Sequence, residues 1–424
     1  WSIIFMSNEE SHSSSVSMNE LFESKPNHQG GEVGGKSLIM PRTEMPRQRL
    51  KFVDNKVQDF PVYLNRRDFD DLLMTFLQEG VDDVDLSVCN PLMIKLKGSW
   101  VPVSDRAISY DEVSGIVDAI DNSTATVRMM SQRYLQFAHA IRTSTEQYRY
   151  RVNGTKILGA GGAEQAASLT LRIIPGIPPT TSELKLPSQI SKMVEYSSGL
   201  FVVCGSTGSG KTTTCAALIR YILETRDTKI ITFEDPIEYV YDKVEKRGFI
   251  QQSEIQWFEK RWKDVLPNAR RRNPDVIFLG EAQDKDAMET TVKSASDGKF
   301  VMVTLHASTV VDTIHRMAKD WPVAEQPDII KTIIANIRGI VHQRLVRTPD
   351  SRARTPIFGI LEFTQDIRDH LGGLNFSDLR QAISEYVDSN GVSEMSDAQL
   401  KFDRGLVHPD DFEKLKRDFK TDGS

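Results

Sequence analysis

Cysteine is scarce in this sequence of 424 residues, which has three, at Cys89, Cys204 and Cys215. Their wide spacing provides neither a disulfide framework nor the paired Cys-x-x-Cys of a zinc module. Structural disulfides belong to oxidising compartments, so we expect this chain to fold in a reducing one. Long hydrophobic runs are also missing, since no stretch approaches the roughly 20 apolar residues of a membrane helix. The opening WSIIFM has no basic region before it, so we expect neither a membrane span nor a secretion signal.

Positive charge is in short supply as well, because the formal net charge is −6. That balance argues against long-range attraction to nucleic acid, although it allows a local basic groove. One basic run, NARRRNPD with WFEKRWK before it, has the aromatic interleaving that suits single-stranded nucleic acid. Charged helix faces are usually solvated, so we favour solvent or a subunit contact for Arg270, Arg271 and Arg272. Nucleic acid is not expected to be a direct ligand.

The first half of the chain divides into an arm and a small domain. Residues 1–49 have too few large apolar side chains to offset ordering entropy, and we predict a disordered arm there. Residues 50–174 predict an α+β domain. Its helices are indicated by RRDFDDLLMTFLQEG and YDEVSGIVDAI, and its strands by VDLSV, LMIKLKG, WVPV, QYRYRV and SLTLRII.

The second half predicts an α/β domain behind a linker. Pro175, Pro178 and Pro179 disfavour regular structure, so residues 175–185 suit a hinge or linker. Across residues 186–349 the apolar runs LFVVCG, KIITFED, DVIFLGE and FVMVTLHA alternate with helical segments, which is typical of a mostly parallel sheet. Residues 350–424 are more charged and predict a helical segment, with helices that begin at serine caps in LNFSDLRQAISEYV and SDAQLKFDRGL.

A glycine-rich motif, G-x-x-x-x-G-K-[ST], follows the first strand of this α/β region and precedes the helical TTTCAALIRYILE. Backbone N–H groups at the start of that helix would surround a β-phosphate. Lys211 would reach the β- and γ-phosphate oxygens, and Thr212 would hold Mg²⁺. The predicted binding loop consists of Gly205, Ser206, Thr207, Gly208, Ser209, Gly210, Lys211, Thr212 and Thr213.

Acidic side chains follow two later strands, where an open α/β sheet places its ligands. Glu234, in TFEDPIEYVYD, stands at the end of the first of these strands and is placed to polarise a water molecule. The alternative interpretation is that Glu234 is a solvated acid of a loop. The second run, PDVIFLGEAQD, has Gly280 where many phosphate-loop proteins place a metal-binding aspartate. Glu281 is therefore left to order the Mg²⁺ shell.

A histidine follows the next strand, in VTLHAST. His306 is placed there to hydrogen-bond a γ-phosphate or a neighbouring acid, although lone histidines are often purely structural. The structural interpretation is the stronger one for His315 in TIHRM.

These motifs resemble those of a known family. TFEDPIE, GEAQD and TLHAST resemble the Asp box, Walker B motif and His box of the PilT-type secretion ATPases, which include pilus retraction motors, type II and IV secretion ATPases and their conjugative relatives. The resemblance spans roughly residues 65–415. YRYRVNGTKI and GVDDVDLSVCNPLMIKLKG are most similar to the type IVB branch, that of the Dot/Icm and IncI conjugation ATPases. The resemblance to the family implies a RecA-like ATPase core with a smaller, PAS-like α+β N-terminal domain.

The resemblance also implies roles for single residues. Glu234 matches the catalytic glutamate, Glu281 the Walker B glutamate and His306 the first His-box histidine. Three arginines, Arg149, Arg151 and Arg172, match residues of the N-terminal domain that the family uses near the nucleotide. An arginine delivered from another subunit raises the rate by roughly 10³- to 10⁵-fold, whereas the alternative is that these are ordinary strand-surface arginines.

Two positions depart from the family pattern, because Gln283 replaces an arginine after the Walker B glutamate and Lys299 replaces a histidine. The loss of an ion pair at Gln283 leads us to expect slower turnover.

The resulting expectation is a homo-hexameric ATP hydrolase that uses ATP and Mg²⁺. It would sit in the cytoplasm, peripherally associated with the inner membrane, where it would dock onto inner-membrane components of a secretion, conjugation or pilus machine. Two alternatives stay open. One is a nucleic-acid translocase or helicase with the same ATP site, and the other is an ATP-binding recruitment ring with low turnover.

Overall fold

The computed structural model describes residues 52–53, 56–96, 98–131, 134–143, 147–159, 166–174, 176–255, 258, 262–282, 284–351 and 353–421. The predicted arm at residues 1–49 and the position of Gln283 lie outside these ranges. The described residues from 52 onward belong to one compact unit. None of the described helices is long and apolar enough to cross a membrane.

The N-terminal part is built on an antiparallel sheet whose strands are β3 (Val81–Ser87), β4 (Met93–Leu96), β5 (Ser99–Pro102), β6 (Leu135–Arg142), β7 (Gln147–Ile157) and β8 (Ala166–Ile174). Their spatial order is β5-β4-β3-β8-β7-β6. A short ribbon of β1 (Phe52–Val53) and β2 (Lys56–Val57) precedes it. The helices are α1 (Arg66–Gln78), α2 (Tyr110–Ile120) and α3 (Ala125–Ser131), and the apolar faces of α1 and α2 are buried with the sheet in one core.

Local capping explains where the two longer helices begin. The Asn65 side chain accepts hydrogen bonds from the backbone of the first turn of α1, and Ser109 forms a capping box with Glu112 at the start of α2. Gly80 follows α1 with φ of 71°, a conformation that glycine adopts without strain. The predicted helices and strands of this region are confirmed, while α3 and β6 had no sequence prediction.

The second sheet is mostly parallel. Its strands are β9 (Gly199–Cys204), β10 (Lys229–Glu234), β11 (Phe249–Glu254), β12 (Val276–Leu279), β13 (Phe300–Leu305), β14 (Ile337–Arg347) and β15 (Arg354–Glu362). They lie in the order β11-β10-β12-β13-β9-β14-β15, and β15 alone of these runs antiparallel, to β14. The interior strand β9, which lies between β13 and β14, is buried along its whole length, as crossover helices on both faces of such a sheet require.

Helices cover both faces of the second sheet and continue beyond it. They are α4 (Ser188–Met193), α5 (Lys211–Thr225), α6 (Trp262–Arg272), α7 (Lys285–Ser296), α8 (Val310–Ala318), α9 (Gln326–Asn336), α10 (Gln365–Gly372), α11 (Leu379–Asn390), α12 (Glu394–Asp403) and α13 (Pro409–Thr421). Two apolar clusters flank the sheet, one on each face. The predicted α/β class with a parallel-sheet core is confirmed.

The C-terminal prediction needs two corrections. Residues 350–424 are not wholly helical, because β15 lies there and its apolar residues 357–361 are buried against β14. The serine caps were also misplaced. Helix α11 begins after Asp378 without a side-chain cap, and α12 begins after Ser393, whose hydroxyl accepts from the Ser396 backbone. Long-range strand pairing outweighed the charged local composition. The domain boundaries stay predictions.

Candidate active site

The glycine-rich loop joins the end of β9 to the start of α5, at the carboxyl edge of the parallel sheet. Gly205 and Gly210 have φ values of 146° and 86°, which L side chains rarely adopt. Both also lie against Gln343 of β14. A Cβ at Gly205 would come within 2.2 Å of the Gln343 carbonyl oxygen, and one at Gly210 within 2.8 Å of its side-chain nitrogen. The motif therefore needs glycine at both positions for conformation and for space.

Inside the loop, Lys211 is buried and its ammonium donates to the carbonyl oxygens of Gly205 and Ser206, each at 2.9 Å. Burial lowers the pKa of Lys211, and attraction to Glu281 opposes that shift. Ser209 is also buried, and its hydroxyl has no hydrogen-bond partner within the part of the chain that the structure describes. An ammonium, an unpartnered hydroxyl and the N-terminus of a fifteen-residue helix together fit a phosphate group.

Glu234 ends β10 and is 7% exposed. The Thr232 hydroxyl donates to its Oε1 at 2.6 Å, and the Gln252 amide donates to the same oxygen at 3.2 Å. Burial raises the pKa of Glu234 to about 7, against the opposing effect of these two hydrogen bonds. A carboxylic acid with a pKa near neutrality is suited to exchange a proton with water at physiological pH.

Glu281 and His306 meet at the ends of β12 and β13. The Nε2 atom of His306 contacts the Glu281 carboxylate, and its Nδ1 lies 3.2 Å from the Gly205 carbonyl oxygen. Gly280 brings the end of β12 close to β10, since a Cβ there would lie 3.2 Å from the Glu234 Cα. The structure thus brings Glu234, Glu281 and His306 to the same edge as the loop, as predicted from the strand ends.

Each of the three predicted arginines has an acidic partner. The Arg149 guanidinium lies 3.7 Å from the Glu254 carboxylate at the end of β11, and Arg151 pairs with Glu238 in the segment after β10. Burial lowers the pKa of Arg149, while attraction to Glu254 and then to Glu234 opposes that shift. Arg149 and Arg151 therefore contact the acidic edge of the parallel sheet, by which we mean Glu234 and Glu254, at the ends of β10 and β11, and Glu238, in the segment after β10.

Arg172 stays within the N-terminal sheet. It makes two hydrogen bonds to Asp83 of β3, at 2.6 and 3.1 Å, and its side chain is 65% exposed. The Asp83 hydrogen bonds raise the pKa of Arg172. Arg172 is thus paired within its own sheet, although it lies opposite Arg151 in the register of β7 and β8.

Two side chains of the site were missed by the sequence analysis. Glu254 lies beside Glu234 in the parallel register of β10 and β11 and is 3% exposed. The sequence signal was an acid at the end of FIQQSE, the same strand-end pattern that identified Glu234. Gln343 reaches the loop from β14, and nothing in its sequence surroundings indicates that position, because only the strand order brings it there.

Metal ligands are sparse in this region. Within the described ranges, no group of three or more His, Cys, Asp or Glu side chains is arranged to hold a metal ion. Thr213, next to the predicted Mg²⁺ ligand Thr212, lies 3.0 Å from the Tyr239 hydroxyl through its own hydroxyl. A Mg²⁺ ion here would take most of its ligands from phosphate oxygens and water, which is the usual arrangement for this ion.

The basic run of α6 is largely engaged within the chain. Arg270 pairs with Asp297, and Arg272 donates to Gln251 and Ser253 of the neighbouring strand. Lys299, the residue that replaces the family's histidine, donates to Asn273 at 2.9 Å on the surface. The contacts engage Arg270 and Arg272, while Arg271 is exposed and Arg270 keeps 58% of its side chain exposed.

Comparison with known proteins matches the chain to one family and to solved structures of the same fold. Residues 178–401 match the family described as type II/IV secretion system protein. The crystal structure of the ATPase DotB from Legionella pneumophila superposes with a TM-score of 0.73 at 29% identity, covering 85% of this chain and 98% of that one.

Two further relatives match over most of the chain. The structure of the pilus retraction motor PilT with bound ADP superposes with a TM-score of 0.71 at 27% identity, covering 81% of this chain and 96% of that one. A twitching motility protein of Neisseria gonorrhoeae is 28% identical over 335 residues, which are 79% of this chain and 86% of the relative.

Proposed function

The chain belongs to the family of type II/IV secretion system proteins, and we propose that it hydrolyses ATP to power a type IVB secretion or conjugation machine, or a type IV pilus, from the cytoplasmic side. The observation that carries this proposal is the meeting of four groups at one sheet edge. The glycine-rich loop with its buried Lys211 lies at the same sheet edge as Glu234, whose pKa is about 7, and as the Glu281–His306 pair.

We propose a task for each of these groups. Backbone N–H groups of residues 206–211 and the Lys211 ammonium would hold the phosphates, and Thr212 and Glu281 would hold the Mg²⁺ ion, Glu281 through its water shell. When bound, Mg²⁺ offsets phosphate charge. Glu234 accepts the proton of the attacking water, for which its pKa of about 7 is well matched. His306 holds the Glu281 carboxylate and connects it to the loop at Gly205.

The arginines of the N-terminal sheet are relevant to how subunits assemble. In the single chain, Arg149 is held by Glu254 and Arg151 by Glu238, so the N-terminal sheet and the parallel sheet meet at the acidic edge. We propose that the protein works as a homo-hexamer on inner-membrane components of its machine. In that ring, domain movement brings an arginine, Arg149 first among the three, to the phosphates of a neighbouring site.

The test is ATP turnover per subunit, measured with Mg²⁺ across a wide range of protein concentration, with Glu234→Gln as the blank. A specific activity that climbs steeply with concentration and vanishes in the variant supports a site shared between subunits. Activity that stays flat with concentration contradicts the shared site, and activity that survives Glu234→Gln contradicts the assigned base.

Two comparisons separate the proposal from its alternatives. Stimulation of turnover by single-stranded DNA would indicate a translocase, whereas ATP-dependent partner binding that survives Glu234→Gln would indicate a recruitment ring. From the sequence we also expect Gln283→Arg to raise turnover, because it restores the arginine that the family usually has. An unchanged rate would dismiss that explanation.

A further inference from the structure

Strand β14 passes directly beside the phosphate-binding loop. It pairs in parallel with β9 up to the pair His342–Cys204, and the next residue, Gln343, is level with the start of the loop. Gln343 is 3% exposed. Its carbonyl oxygen lies where a Cβ at Gly205 would stand, and its side-chain nitrogen lies close to Gly210, so it borders the loop at both ends.

Both polar atoms of the Gln343 carboxamide form hydrogen bonds. Its Nε2 donates to the Ser209 carbonyl oxygen at 2.7 Å, and its Oε1 accepts from the Thr214 hydroxyl at 2.7 Å. Thr214 belongs to the first turn of α5, whereas Ser209 belongs to the loop itself. One buried side chain therefore ties the loop to the helix whose N-terminus faces the phosphate. It also fixes the Ser209 carbonyl toward β14.

The residues on either side of Gln343 hold the strand from its other face, since side chains alternate along a strand. The Nδ1 atom of His342 lies 2.7 Å from the Glu394 carboxylate of α12, and both side chains are buried. Arg344 lies 3.4 Å from Glu394 and 3.1 Å from Asp418 of α13. The strand that carries Gln343 is thereby anchored to the C-terminal helices α12 and α13.

We propose that Gln343 is a positioning residue that preorganises the phosphate-binding loop. The inference rests on the proposed function, because it takes the loop to bind phosphate. Gln343 itself does not touch the nucleotide; it acts through Ser209 and Thr214. A loop held in its binding shape in advance loses less conformational freedom on binding, which strengthens affinity. Removing the carboxamide also leaves a buried carbonyl and a buried hydroxyl without partners.

The decisive variant is Gln343→Met, which keeps the length of the side chain and removes both hydrogen bonds. We expect the Kd for ADP, measured by calorimetry, to rise roughly tenfold or more, which corresponds to about 1.4 kcal/mol. KM for ATP should rise in proportion while kcat changes less than about threefold, since the loop binds substrate and transition state alike. Gln381→Met, at an exposed glutamine of α11 whose side chain donates to Glu385, is the matched control and should change neither constant.

Two further variants make the result independent of folding. Thr214→Val removes only the hydroxyl that donates to Gln343, and we expect it to weaken ADP binding severalfold. Its effect should not add to that of Gln343→Met, because the contact between Gln343 and Thr214 is already absent in that variant. Gln343→Glu keeps the acceptor for Thr214 but loses the donor to Ser209, and it should weaken ADP binding too.

The outcomes for the two proposals differ. If the wild-type protein fails to bind ADP, the proposed function fails. If the wild type binds ADP and folded Gln343→Met binds it equally tightly, Gln343 has no positioning role. If Gln343→Met does not fold, the Thr214→Val result decides: unchanged ADP affinity overturns the inference. A fall in kcat with KM unchanged would overturn it as well.

Discussion

The raised pKa of Glu234 predicts a stability effect that requires no turnover assay. Burial moves this carboxyl from 4.5, its value in the absence of the fold, to about 7. The folded chain therefore binds a proton more tightly than the unfolded chain between these two values. Stability contributed by the neutral carboxyl is fully present below pH 4.5 and is lost as the pH rises through 7. Ionising Glu234 inside the folded protein costs about 3 kcal/mol.

The substitution Glu234→Gln removes that penalty because glutamine stays neutral at every pH. Its oxygen keeps the acceptor position for the Thr232 hydroxyl, so the local hydrogen bond survives. We expect the variant and the wild type to have nearly equal stability at pH 4.5, with the variant gaining about 3 kcal/mol by pH 8. For a chain of this size the gain corresponds to a Tm increase of about 3 °C.

The assay is calorimetric Tm measured for both proteins between pH 4.5 and 8.5. The control is Glu413→Gln, which removes an exposed carboxylate of α13 and should show no comparable gap. A Tm difference that opens between pH 5 and 7 and then levels off supports the argument. Parallel Tm curves for Glu234→Gln and wild type would refute it, because they would mean that Glu234 is ionised in the folded protein at no cost.

Three further predictions concern activity. The kcat for ATP should rise with pH through about 7 as Glu234 ionises, and a kcat that is flat from pH 5.5 to 8.5 would exclude Glu234 as the base. Arg149→Met should lower kcat at least tenfold, because Arg149 lies at the acidic edge, whereas Arg172→Met, which disrupts a pair with Asp83, should lower it much less; equal losses would contradict this difference. Gly280→Ala should lower kcat severalfold in a folded protein, since its Cβ would stand 3.2 Å from the Glu234 Cα, and unchanged kinetics would show that the strands tolerate the methyl group.

The placement of the site could be predicted where the signal was local. The glycine-rich motif fixes the loop, because its glycines, lysine and following helix are consecutive in the chain. Glu234 ends β10, while Glu281 and His306 follow β12 and β13 directly or within two residues, and parallel strands bring their carboxyl ends to one edge of the sheet. That rule needs no knowledge of strand order, which is why the sequence sufficed to bring these three side chains together.

The contacts that depend on the order of the strands in the sheet could not be predicted from local sequence patterns. Glu254 stands beside Glu234 only because β11 pairs with β10, and Gln343 reaches the loop only because β14 is the neighbour of β9 on the side away from β13. Such pairings join segments far apart in sequence, and a local pattern carries no information about them. The same cause hid β15, whose charged flanks resemble those of an exposed helix. The sequence therefore identifies the site residues that lie at the ends of strands. The side chains that hold those residues in place can be identified only once the order of the strands in the sheet is known.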